Sequence, residues 1–155
     1  MLEASIIINL SLIIYQDLRS QLVYWFLFPT LGLLLAYMHF SHSDWYNFII
    51  AISLNIVLVF SITLILLIYS KFKIKRPFFK EVFGLGDLFF FLAIAVGFPS
   101  ITFIVVFVLS IIFSLVTGIL LIKKQTIPLA GFMSIFMMVL LATNWIFNTV
   151  NLYII

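Results

Sequence analysis

Cysteine is absent from the 155-residue chain, which rules out disulfides, thiolate zinc sites and thiol nucleophiles. Charge is nearly absent as well: 8% of the residues are Asp, Glu, Lys or Arg, against about 25% in a soluble domain. With 66% hydrophobic residues, the chain has essentially no room for a soluble domain, and most of it must face lipid or other apolar helices. The sequence therefore predicts an integral membrane protein of one domain spanning residues 1–155. The six glycines and four prolines are sparse enough that each break they make in an apolar run carries information. A Gly-rich phosphate loop is also missing, because "GLGD" at 84–87 has no Lys-Ser/Thr after it.

What charge there is acts as punctuation. Apolar segments run over 4–16, 20–43, 45–70, 88–122 and 125–155, separated by short polar stretches such as "KFKIKRPFFKE" at 71–81. The first run follows Glu3 rather than a basic segment and has no small-residue cleavage site, so it reads as a retained helix rather than a signal peptide. As one straight helix, 88–122 would be on the order of 50 Å long, against a hydrocarbon core of about 30 Å. "GFPS" at 97–100 supplies the break, with Gly to end one helix and Pro to open the next. Helix 4 is then short unless it begins before Asp87, near Glu81 or Phe83, which sets Asp87 about a turn inside it. The predicted fold is all-α, with six transmembrane helices. Of the five connections, the first, third and fifth hold all eight basic residues: Arg19; Lys71, Lys73, Lys75, Arg76 and Lys80; Lys123 and Lys124. The positive-inside rule places those three in the cytoplasm and both termini outside.

That topology brings Asp17, at the end of helix 1, and Asp87, at the start of helix 4, to one depth on the cytoplasmic face. Asp44 falls on the opposite side, and Glu81 lies in the basic loop where Lys80 or Arg76 can neutralise it. Two carboxylates that meet in a low-dielectric site cannot comfortably both ionise, so they share a proton, one serving as base and the other as acid. With a water between them, this is the chemistry of aspartic proteolysis, and it needs neither metal nor thiol. No cofactor is called for. Gly84 and Gly86 leave the carboxylate of Asp87 bare, so that an extended substrate or helix 1 can approach it. Taken singly, each acid has a plainer reading. Asp17, two residues before Arg19, has the pattern of a solvated juxtamembrane ion pair; Asp87 alone also suits an ion- or proton-binding site.

Three motifs in order, "DLR" at 17–19, "GLGD" at 84–87 and "TIPLAGF" at 126–132, resemble those of the type IV prepilin peptidases and preflagellin peptidases, membrane aspartic proteases of the GxGD type. The resemblance covers nearly the whole chain. It implies a hydrolase of the cytoplasmic (inner) membrane of a prokaryote that removes the short basic leader of pilin-like precursors. Asp17 and Asp87 become the catalytic pair and Gly84 and Gly86 the supporting glycines, with Glu81, Arg19 and Pro128 as secondary candidates. Phe89 stands where the family usually has Lys, residues 23–25 where it has Ile-Pro-Asn, and Ala130-Gly131 where it has Gly-Pro. The cysteine-containing N-terminal segment of many bacterial members is missing, which implies peptidase activity without N-methylation of the product. The partners implied are a membrane-inserted precursor and the bilayer.

Other features read more plainly. The basic loop 71–80 is a topology signal that can also meet anionic lipid, and eight cations spread over three short loops make no stripe for nucleic acid. His39 and His42 lie near Asp44 without a third and fourth ligand at suitable spacing, so no metal site is expected. Ser110, Ser114 and Gly118 form a small-residue face for close helix packing on helix 5, while Asn144, Asn148 and Asn151 suit interhelical hydrogen bonding on helix 6. Two other functions stay open at this stage: a small ion- or proton-coupled carrier using Asp87 alone, and an inactive relative of the peptidases serving as a scaffold.

Overall fold

The structure is a computed structural model that describes residues 1–74, 84–121, 127–147 and 151–153. Six α-helices account for most of them: α1 (Leu2–Ser20), α2 (Leu27–Ser41), α3 (Trp45–Tyr69), α4 (Leu85–Ala95), α5 (Ser100–Leu121) and α6 (Leu129–Phe147). A π-helical turn, Ser70–Ile74, continues α3, and there is no strand among the described residues. Three helical stretches are long and apolar enough to cross a membrane: Trp45–Phe72, Ser100–Leu121 and Leu129–Phe147. The chain is accordingly a membrane protein. α2 and α4 are apolar but shorter, at 15 and 11 residues. At about 1.5 Å per residue, α4 rises only about 16 Å.

The ends of these helices have local causes. Helix 1 runs past Asp17 and Arg19 instead of stopping at its charges. It ends where Gln21 adopts the left-handed conformation (φ 55°) and donates its N–H to the carbonyl of Asp17 at 3.0 Å. The Gln16 side chain then accepts the N–H of Tyr24 at 2.9 Å, which fixes a tight connection. This is why α2 begins at Leu27 and not near residue 20, as the apolar run suggested; Pro29 fits its first turn. Helix 4 begins at Leu85, behind Gly84, with Asp87 in its first turn; Glu81 and Phe83 lie outside the described residues. The break at 97–100 forms as expected, with the Gly97 N–H on the carbonyl of Ile94 and α5 starting after Pro99. A side chain that nothing in the sequence singles out holds this break. The amide of Asn55, buried on α3, donates to the carbonyls of Ala95 (2.8 Å) and Phe98 (2.9 Å). The first closes α4 and the second lies in the break, and a buried carbonyl without a donor is costly in an apolar interior.

α2 and α6 each pack against both α1 and α4, and α4 also meets α3 and α5. α1 and α4 thus face one another across the space between α2 and α6. The core is built largely from Ile6, Leu10 and Ile13 of α1, Phe28, Leu31 and Leu35 of α2, Phe90 and Ile94 of α4, Phe103 of α5, and Met133 and Met137 of α6. The small face expected on α5 is used: Ser110, Ser114 and Gly118 are buried, and α6 lies along α5. Of the three asparagines expected on helix 6, Asn151 lies beyond its end at Phe147, where its side-chain oxygen accepts the N–H of Tyr153 at 3.2 Å, and Asn148 lies outside the described residues.

Candidate functional site

Asp17 belongs to the buried stripe of its helix. Ile6, Leu10, Ile13 and Asp17 recur every three or four residues, so the carboxylate is carried into the bundle by the same periodicity that buries the apolar residues. Arg19, two positions on, points elsewhere. Its guanidinium bonds to the hydroxyl of Tyr15 and lies over that ring, 5.6 Å from the centroid. The solvated Asp17–Arg19 pair is therefore not what forms. On α4, Asp87 is one turn before the buried Phe90 and Phe91 and shares their side of the helix.

The two acids meet at the start of α6. Asp17 Oδ2 accepts the backbone N–H of Gly131 at 2.6 Å, and Asp87 Oδ1 accepts that of Ala130 at 3.1 Å. Successive amides of one helix turn thus hold the two carboxylates side by side. Asp17 is buried and Asp87 half-buried. The physical reason lies in how helices begin. The first amides of a helix have no intrahelical acceptor and are usually capped by a Ser, Thr, Asp or Asn side chain just ahead of them. Here the residue before α6 is Pro128, whose carbonyl receives the Phe132 N–H at 3.2 Å but whose ring offers no acceptor. Asp17 and Asp87 supply the missing acceptors from two other helices, and the positive end of the α6 dipole favours their charge.

α5 fixes where that helix start sits. The Ser114 hydroxyl donates to the carbonyl of Leu129 at 3.3 Å, and a β-carbon on Gly118 would run into the side chain of Ile127. The small face of α5 is what allows the first turn of α6 to approach.

Three glycines near the site differ in what they spare. A β-carbon on Gly131 would lie 3.1 Å from Asp17 Oδ2 and 3.2 Å from Asp17 Cβ. One on Gly84 would lie 3.0 Å from Asp87 Oδ2. One on Gly86 would face the ring of Phe28 at 3.5 Å, not the carboxylate, which corrects the role expected for it. Gly86 serves the α2–α4 contact, where Phe28 also stacks against Phe89 at 6.2 Å and meets Phe90 edge-on at 6.5 Å. Phe89 is held in this aromatic group.

The tether is not evident from the sequence, where Ala130 and Gly131 appear only within the "TIPLAGF" motif. The available signal was an apolar helix opened by Pro128 with no capping side chain beside it. Glu81 lies outside the described residues. His39 and His42 sit elsewhere, around Tyr153. His39 Nδ1 is 3.1 Å from the carbonyl of Val96, and the His42 ring stacks on Tyr153 with centroids 4.7 Å apart. Among the described residues no group of three or more His, Cys, Asp or Glu side chains could hold a metal ion.

Two carboxylates held by successive amides at a helix start are a layout suited to acid–base chemistry on a carbonyl. Comparison with known protein families, curated proteins and solved structures finds no match to this chain.

Proposed function

We propose that the chain is a membrane aspartic endopeptidase that trims pilin-like precursors, in the manner of the type IV prepilin peptidases its motifs resemble. The observation that carries this reading is the capture of Asp17 and Asp87 by the successive amides of Ala130 and Gly131. In this mechanism one carboxylate accepts a proton from the bound water as its oxygen attacks the scissile carbonyl carbon. The other, protonated, donates to the carbonyl oxygen, giving a neutral gem-diol. Collapse of that intermediate breaks the C–N bond: the leaving nitrogen takes a proton from the first carboxyl group while one gem-diol hydroxyl returns its proton to the second carboxylate, which restores both acids. The tethering amides hold both groups in place, so little rearrangement is needed in the transition state.

All six helices cross or enter the inner membrane of a prokaryote in this reading, with both termini outside and the acid pair at the cytoplasmic face. The distribution of the eight basic residues over alternate connections supports that topology. It also sets the pair at the depth where a short cytoplasmic leader joins a membrane-inserted segment. A carrier would more usually keep its carboxylate near the bilayer midplane.

The test is cleavage of a purified pilin-like precursor by the purified protein in detergent. Asp17→Asn and Asp87→Asn are each expected to abolish turnover while the protein still inserts and folds. Substantial cleavage by either variant would refute the proposal.

A further inference from the structure

Outside the acid pair, a groove of about 480 Å³ runs along the seam of α1 and α6, lined by Ser11, Ile14, Tyr15, Leu18, Arg19 and Met138. Its walls are mainly apolar, and Tyr15 and Leu18 are exposed along it. Arg19 stands at one end, in the last turn of α1. The described partner of its guanidinium is the neutral phenol of Tyr15, so among the described residues no carboxylate balances the charge at the groove's rim.

A cation at the end of an apolar channel on a membrane protein matches one class of molecule in both parts: a phosphate head carried on acyl chains. We propose that this groove is a phospholipid site, with the phosphate on Arg19 beside Tyr15 and one acyl chain lying along Ile14, Leu18 and Met138. Arg offers forked donors suited to phosphate oxygens. The size favours a chain over a peptide helix, which with side chains is about 10 Å across; 480 Å³ holds only about one turn of it. The charge points the same way, because Arg19 repels a basic leader. A lipid seated here fills the outer side of the seam whose inner side carries the Asp17–Gly131 hydrogen bond, and so braces it. The inference does not depend on the peptidase reading.

The test uses the intact chain delipidated in detergent, with thermal unfolding and native mass spectrometry as readouts. Phosphatidylglycerol is expected to bind and to raise the unfolding temperature. Diacylglycerol with the same chains is expected to bind at least tenfold more weakly, and inorganic phosphate to have no effect. Arg19→Gln should weaken phosphatidylglycerol binding by about tenfold, or about 1.4 kcal/mol, and Met138→Trp should exclude the chain. Arg19 is exposed, so its variant remains informative if the tryptophan variant does not fold. Unchanged lipid binding in Arg19→Gln overturns the proposal, as does equal stabilisation by inorganic phosphate. A photoreactive residue at position 18 gives a further arm: crosslinks to phosphatidylglycerol support the site. Crosslinks only to an added pilin-like precursor would assign the groove to substrate instead and end the lipid proposal.

Discussion

Replacing Gly131 by alanine tests the tether most directly. The new β-carbon would lie 3.1 Å from Asp17 Oδ2, 3.2 Å from Asp17 Cβ and 3.5 Å from Asp17 Cγ. Carbon atoms at their optimal separation are about 3.5–4.0 Å apart, so either Asp17 or the first turn of α6 must yield by a few tenths of an ångström. Asp17 Cβ is fixed to the α1 backbone, and the carboxylate is the softer part. The strain therefore falls on the 2.6 Å hydrogen bond from Gly131. A hydrogen bond to a charged group contributes about 1.5–3 kcal/mol, and each 1.36 kcal/mol is about tenfold in rate. Gly131→Ala should lower kcat/KM for precursor cleavage by roughly ten- to a hundredfold. Gly86→Ala is the matched control. Its β-carbon meets the Phe28 ring at an ordinary 3.5 Å, so turnover should stay within about twofold. The helix should gain up to about 1 kcal/mol, since alanine replaces glycine inside it. Motif logic alone ranks Gly86 above Gly131. If Gly86→Ala abolishes cleavage in a folded protein while Gly131→Ala leaves it intact, the geometric argument is wrong.

Other expectations follow from the same contacts. Gly118→Leu should push α6 off α5 through Ile127 and cut turnover with the acids still present, measurable as lost cleavage at retained helicity. Asn55→Ala strands the carbonyls of Ala95 and Phe98 and should cost about 1–3 kcal/mol in denaturant unfolding. Tyr153→Phe should raise stability, because its buried hydroxyl has no partner among the described residues and an unsatisfied buried group costs about 1–3 kcal/mol. Burial pushes the Tyr153 phenol up to about 12 from 10.0. Between those values the unfolded chain releases a proton that the folded protein keeps, so wild-type stability should fall as pH rises through that window. That part of the loss should vanish in Tyr153→Phe, which unfolding measurements on the two proteins at matched pH will show.

Much of this was legible in the sequence because apolar runs and basic clusters are long-range signals that need no partner. The extent of α3 and the 97–100 break follow from them, and the small face of α5 from the four-residue spacing of Ser110, Ser114 and Gly118. The topology puts Asp17 and Asp87 at one depth on one face, while the Ile6, Leu10, Ile13 stripe that carries Asp17 inward emerges with the helix packing. What escaped were tertiary bonds to backbone groups. That Asn55 would hold the end of α4, or that two successive amides of α6 would take both acids, requires knowing which helix lies beside which. The late start of α2 was hidden for a related reason. Residues 22–26 are as apolar as a helix, and only the left-handed Gln21 and the Gln16–Tyr24 bond reveal a turn there.

Fastening both acids to consecutive links of a single stretch of backbone makes their arrangement all-or-nothing. A lateral slip of that one helix tip slackens both moorings together, so a half-assembled centre, with one acid seated and its mate adrift, is avoided. If the chain is the peptidase proposed, quiescence and competence are then separated by a displacement no larger than a hydrogen bond, with neither acid having to travel on its own.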